Sequence, residues 1–120
     1  MLTIAERTKQ FAVRIVRMYV ALPRSEVAQV LGKQVLRSGT SVGAHFREAE
    51  RARSTAEFVS KVEVGLQELA ETEYWLELLV EADILPPRRL TGLRQEATEL
   101  TAILVTCVKK AKERRRKDEG

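Results

Sequence analysis

The stretch VLRSGTSVGAHFREAE, Val35–Glu50, decides how this chain folds. Gln34, Ser38, Ser41, His45 and Glu48 follow one another at steps of four, three, four and three, which sets them in one stripe on an α-helix. Leu31, Val35, Gly39, Val42 and Phe46 form a second stripe beside it. One face is therefore apolar and small, and the adjoining face is polar. Gly39 and Gly43 stand one turn apart, and each glycine costs a helix interior roughly 1 kcal/mol against alanine. Two of them in one helix point to another backbone lying very close. A kink or loop over Ser38–Gly43 is the competing reading. The apolar period carries through both glycines, which favours an unbroken helix.

Outward from that stretch, the chain reads as four amphipathic helices. The first is expected from Thr3 to Leu22, with a seam of Ile4, Thr8, Phe11, Ile15, Met18 and Leu22, widened by Val16, Tyr19 and Val20. Arg7, Gln10, Arg14 and Arg17 make its polar stripe. Pro23 ends it, because proline disfavours helix in the residue before it. The second starts at Ser25, a good N-cap, buries Val27, Leu31 and Val35, and reaches about Arg51. Ser54 and Glu57 fit a capping box ahead of the third, which runs to about Ala82 on Phe58, Val62, Gly65, Leu69, Thr72, Leu76 and Leu79. Pro86 and Pro87 mark the next break, and proline suits a first helical turn. The fourth helix is therefore expected from about Pro87, on Leu90, Leu93, Ala97, Leu100, Leu104, Cys107 and Ala111. Short connections between four such helices predict an all-α, antiparallel up-down-up-down bundle over residues 1–108. Residues 109–120 read as a basic C-terminal tail, either a further solvated helical stretch or disordered.

The 120 residues are enough for one core, and a hydrophobic share of 44% excludes a disordered chain. No apolar run is long enough to span a membrane, and no secretory signal opens the sequence, so the expected location is the cytoplasm. One cysteine, Cys107, excludes an internal disulfide, and one cysteine with one histidine excludes an ordinary His/Cys zinc site. The net charge of +4 is unevenly spread. Residues 1–53 carry ten basic and four acidic side chains, residues 54–87 one and eight, residues 88–108 three and two, and residues 109–120 seven and three. The body is thus nearly neutral, and the basic excess lies in Lys109, Lys110, Lys112, Arg114, Arg115, Arg116 and Lys117. Such a run can grip phosphates or simply solubilise a terminus.

If the second and third helices are antiparallel about residues 52 and 53, opposed residues have numbers summing to roughly 105. Arg37 then faces Glu68 and Glu71, His45 faces Ser60 and Lys61, and Glu48 lies near Glu57 and Lys61. With Ser38 and Ser41 these form a polar cluster between two helices. Paired carboxylates beside one histidine could serve acid–base work. A di-iron bundle, however, needs a Glu-x-x-His motif on each of two helices; here Val42 stands three before His45, and there is no second histidine. Structural pairing that fixes which helix packs on which is the better reading. Cys107 reads as a core residue, and Tyr74 and Trp75 as packing at a helix or subunit contact, with base stacking the alternative. No phosphate loop or nucleophile elbow is present.

The residues Gln34, Arg37, Ser38, Thr40, Ser41, Val42 and Glu48, followed by Glu57-Phe58, Lys61, Glu68, Glu71 and Trp75-Leu76, resemble a bacterial four-helix-bundle family. Its members are the 23S rRNA-intervening-sequence proteins, and the resemblance covers about residues 8–108. His45 stands where the family usually has Asn, and Ala49 where it has Gly. The resemblance implies a ring-shaped homopentamer and kinship with the accessory subunit of diversity-generating retroelements, a basic pentamer that associates with a reverse transcriptase and nucleic acid. It implies no cofactor and no settled biochemical activity. The expected role is that of a non-enzymatic oligomeric accessory or scaffold in a nucleic-acid-linked process, with RNA or DNA and a protein such as a reverse transcriptase as partners. The alternative is a protein-interaction scaffold without nucleic acid.

Overall fold

The computed structural model describes residues 1–119, and among these there are four α-helices and no strand. They are α1 (Ile4–Val20), α2 (Glu26–Glu50), α3 (Thr55–Glu81) and α4 (Thr91–Glu119). A 3-10 turn at Pro87–Arg89 precedes α4, so the fourth α-helix begins four residues later than the prolines suggest. Proline lacks an amide hydrogen and fixes its own φ, and the chain makes one tight turn there before the wider helix can start.

The helix starts follow capping chemistry. Thr3 and Glu6 close a full capping box on α1, with the Thr3 hydroxyl accepting from the Glu6 amide at 3.1 Å. Ser25 accepts from the Ala28 amide at 3.2 Å. At α3 the box is only half made: Ser54 accepts from the Glu57 amide at 3.1 Å, but the Glu57 carboxylate takes the amide of Arg53, one residue before the cap. The end of α3 is a Schellman turn. Asp83 adopts a φ of 59°, its amide donates to Val80 O, and the amide of Ile84 donates to Leu79 O. Aspartate tolerates this left-handed conformation better than most side chains.

Each helix packs on its chain neighbour, most extensively α2 on α3 and then α1 on α2, whereas α1 touches α4 only sparsely. The bundle measures 56 × 25 × 21 Å. Its core runs along the expected seams: Phe11 and Ile15 on α1, Val35 and Val42 on α2, Val62, Leu69, Leu76 and Leu79 on α3, and Leu93, Leu100 and Leu104 on α4 are all buried. Three expectations fail at the margins. Val16 and Val20 are exposed rather than widening the α1 seam. Val27 is 57% exposed, and its place in the core is taken by Ala28. On α4 the seam steps to Val108, leaving Cys107 half-buried.

The helix α2 continues unbroken through Gly39 and Gly43. A Cβ on Gly39 would stand 2.8 Å from Cγ1 of Ile15, and one on Gly43 would stand 3.1 Å from the hydroxyl of Thr8. Both neighbours are fully buried. The glycines therefore let α1 seat branched side chains directly on the α2 backbone. Gly65 on α3 is different, because the nearest atoms to its Cβ position are Val42 O at 3.6 Å and His45 Cβ at 3.8 Å. These two sites predict opposite outcomes in urea unfolding. Gly39→Ala should cost about 1–3 kcal/mol through overpacking. Gly65→Ala should be neutral or stabilising by up to about 1 kcal/mol from helix propensity alone.

Candidate nucleic-acid interface and the polar seam

Between α2 and α3 the polar stripe forms a graded seam. At its centre the hydroxyls of Ser38 and Thr72 meet at 2.8 Å, both fully buried, and Thr72 also lies 2.8 Å from the Glu68 carbonyl. Each hydroxyl has one hydrogen to give. The two hydroxyls share one hydrogen bond, and each also has a carbonyl of its own helix within reach, Glu68 O for Thr72 and Val35 O at 3.5 Å for Ser38, so neither polar atom is stranded in the core. Ser41 turns back on its own helix, donating to Arg37 O at 2.6 Å.

Toward solvent, Arg37 bridges Glu68 at 3.3 Å and Glu71 at 2.9 Å. One end of the seam carries a second group, in which Lys61 donates to Glu48 at 2.9 Å and His45 Nδ1 meets the other oxygen of Glu48 at 3.1 Å. Lys61 holds the Glu48 carboxyl below its ordinary range, and Glu48 holds the Lys61 ammonium above its own. Glu57 does not bond to this group, being engaged with the Arg53 amide. His45 lies beside Gly65 rather than opposite Ser60 and Lys61. The pairs Ser38–Thr72 and Glu48–Lys61 show the register running about one turn beyond the simple antiparallel sum. Among the described residues no three of His, Cys, Asp and Glu converge as a metal ion would need.

The strongest ion pair is one that sequence reading missed. Arg7 on α1 grips Glu96 on α4 with Nε at 2.8 Å and Nη2 at 2.9 Å, and also reaches Glu99 at 2.7 Å. The pairing spans 89 residues of chain, so no local spacing announces it. Its only trace in the sequence is the spacing of three between Glu96 and Glu99, which puts two carboxylates on one face of the fourth helix. The hydrogen bond from Arg7 pulls the Glu96 carboxyl down against the effect of burial, with Arg14 adding a smaller push the same way. The Arg7 guanidinium is pushed up in turn.

The basic run does not end in a loose tail. Helix α4 continues through it to Glu119, and Ala111 is buried against the bundle. Lys109, Lys110, Lys112, Arg114, Arg115, Arg116 and Lys117 stand exposed around this extension. Lys112 comes within 3.9 Å of Glu63 and Arg115 within 3.7 Å of Glu119. The other five make no ion pair among the described residues. Cys107, half-buried beside Ile4 and Ile103, has its thiol pushed up by burial, which works against a nucleophilic role. Trp75 packs on the core with its ring edge-on to Tyr74 at 5.1 Å, and its Nε1–H is buried without an acceptor among the described residues.

The family profile described as 23S rRNA-intervening sequence protein matches residues 1–106, from the capping box of α1 through most of α4. The chain belongs to that family. Among solved structures it is similar to a protein with unknown function from the S23 ribosomal protein family, from Bacteroides thetaiotaomicron. The two share 40% identity with a TM-score of 0.84, over 89% of this chain and 99% of that one. No curated protein matches the chain. Membership of the intervening-sequence family agrees with the four-helix fold and carries no enzymatic assignment.

Removing Arg7 should matter more than removing Arg37. Glu96 is only 17% exposed and would be left without its partner, so Arg7→Gln should destabilise the fold by about 1–2 kcal/mol. Arg37, half in solvent, should cost under about 1 kcal/mol. The pH dependence has a definite sign. The folded Glu96 carboxyl is depressed, so its contribution is full above the ordinary carboxylate range and is lost as the pH falls through the depressed value. Denaturation curves taken at a series of acid pH values should therefore be flatter for Arg7→Gln than for the parent.

Proposed function

We propose that this family member is a non-enzymatic, oligomeric helical bundle of the cytoplasm that serves as an accessory or scaffold in a nucleic-acid-linked process. The observation that carries the reading is the extension of α4. Seven cations stand exposed on an ordered helix that projects the charge from the bundle, and five of them lack a carboxylate partner among the described residues. A helical array of this kind costs less ordering on binding than a flexible tail and suits a polyanion read by charge alone. The polar seam between α2 and α3 has a structural role in this reading. Its groups satisfy one another and set the helix pairing.

Two apolar strips support self-assembly. On α1, Val13, Val16 and Val20 are exposed on the side away from Arg7, which faces α4. On α2, Val27 and Val30 are exposed on the side away from the glycines that pack on α1. A ring of more than two subunits uses head-to-tail contacts, in which one patch of each copy meets a different patch of the next. Two dissimilar strips on different helices fit that need better than a two-fold dimer, which uses one patch twice. A pentamer, as the family resemblance implies, is one closed solution.

Two measurements test the reading. Light scattering should find an oligomer, and Val16→Glu with Val20→Glu should dissociate it while keeping helical content. Single-stranded RNA or DNA should bind the full chain with an affinity that falls steeply with salt, each neutralised phosphate contributing about −0.7 to the log–log slope. Replacing Lys110, Arg114, Arg116 and Lys117 by Gln should remove most of that slope. Absence of binding at low salt would defeat the nucleic-acid half and leave a scaffold for protein partners.

A further inference from the structure

One end of the bundle holds a second concentration of positive charge, far from the α4 extension. A half-open cleft of about 310 Å³ lies between the end of α1 and the start of α4. Its floor is apolar: Leu85, Leu90 and Leu93 are buried there and Met18 is half-buried. Its rim carries Arg14, Arg17 and Arg89, and no acidic residue lines it. None of the three makes an ion pair among the described residues. The nearest carboxylates on α4, Glu96 and Glu99, are taken by Arg7.

Two further features place positive charge at this cleft. Arg88 and Arg89 stand just before the first turn of α4, where the helix dipole favours negative charge. The guanidinium of Arg14 lies over that same turn. A Cβ at Gly92 would sit 2.9 Å from its Nη2, so any side chain there would displace it. The amides of this turn have no acceptor within their own helix, and the Thr91 hydroxyl is turned back to Pro87 O rather than capping them. Three guanidiniums without an ion pair, of which Arg14 feels Glu96 at longer range, and a helix start thus converge on a cleft whose volume is within the range of small-ligand sites.

We propose that this cleft binds a phosphomonoester, with the phosphate held by Arg14, Arg17 and Arg89 and its carrier lying on Met18, Leu85, Leu90 and Leu93. Guanidiniums match phosphate oxygens in paired hydrogen bonds. Three of them balance the dianion of a terminal phosphate better than a carboxylate or a bridging diester, each of which carries a single charge. The apolar floor requires a carrier with a flat or greasy face, and a nucleotide meets that need, either free or at the end of a strand. The choice of a nucleotide as carrier rests on the nucleic-acid reading above; the phosphomonoester rests on the cleft alone.

The test uses the full chain, one short single strand in 5′-phosphorylated and 5′-hydroxyl forms, adenosine monophosphate and inorganic phosphate, with calorimetry at moderate salt. The parent should prefer the phosphorylated strand by about tenfold, the loss expected when charge-assisted hydrogen bonds are left unmade. Arg17→Gln with Arg89→Gln should bind both strands alike while keeping its helical content, and Arg14→Gln alone should lose part of the preference. Competition by adenosine monophosphate would identify a single nucleotide as sufficient; its failure beside a retained strand preference would identify the strand end. A preference that survives in the double variant overturns the proposal, as does the absence of any preference together with no binding of the monophosphate or phosphate. If both strands bind equally through α4 and neither the monophosphate nor phosphate binds, the cleft fails and the nucleic-acid reading stands. If monophosphate binds at the cleft and neither strand binds, that reading fails and the cleft stands.

Discussion

The close approach of α1 to α2 governs the rest of the bundle. At Gly39 and Gly43 the second helix has no side chain to offer, and Ile15 and Thr8 fill the space against its backbone. The gain is dense packing between two helices. The cost is geometric. A helix seated that deeply on one neighbour stands off from the other, and α1 indeed touches α4 only sparsely. What joins those two helices is largely the clasp of Arg7 on Glu96 and Glu99. Where the clasp ends, the helices part, and the arginine-rimmed cleft opens between them. The glycines of α2 and the cleft on the far side of α1 are thus two consequences of one constraint.

The fold was legible because hydrophobic period and capping residues agree along the whole chain. Phe11, Ile15, Leu69, Leu76, Leu100 and Leu104 are buried where a seam of threes and fours places them. Ser25 and Ser54 cap helices as expected, and Thr3, expected to open the first helix, caps it. The failures have a common physical origin. A helical stripe says which residues are apolar, and not how wide a face its neighbours cover. Val16, Val20 and Val27 lie on the flanks of their stripes, and nothing in their own sequence separates a core flank from an exposed one. Cys107 and Val108 are both within reach of the seam, since 3.6 residues per turn drifts against a strict repeat. The depth of α1 on α2 settled the first case and the drift of a 29-residue helix the second.

The candidate site was legible in part. Arg37, Glu68 and Glu71 could be brought together from one assumption about the α2–α3 turn, and they do lie together. The same assumption misplaced His45 by about a turn, because a turn's midpoint in the sequence does not set how far two helices slide along each other when they pack. The clasp of Arg7 escaped notice for a different reason. First and last helices of a bundle have no short connection to fix their register, so their polar contacts can be found only by matching charge across the whole chain. Arg14 and Arg17 were visible as a stripe. That their would-be carboxylate partners are already taken was not.

Charge compensation within the bundle leaves a pattern that bears on what the protein can bind. On the acidic third helix Glu68 and Glu71 pair with Arg37 and, more loosely, Glu63 pairs with Lys112, while Glu48 of α2 pairs with Lys61. Among the cations without an ion pair, one group lies along the extension of α4 and another at its start. The 29 residues of α4 place its two ends about 43 Å apart at 1.5 Å per residue. That is several times the screening length of roughly 8 Å at physiological salt. The two basic regions therefore do not act as one field on a small ion; each meets its own ligand. Only an extended polyanion can engage both at once, and it would gain from the linkage of two weak sites along a single strand. The cations at the C-terminal end lie with the helix dipole and are stable without a ligand, whereas those at the N-terminal end lie against it. The asymmetry makes the α4 extension a standing charge array and the cleft the place where an anion also gains from the helix dipole.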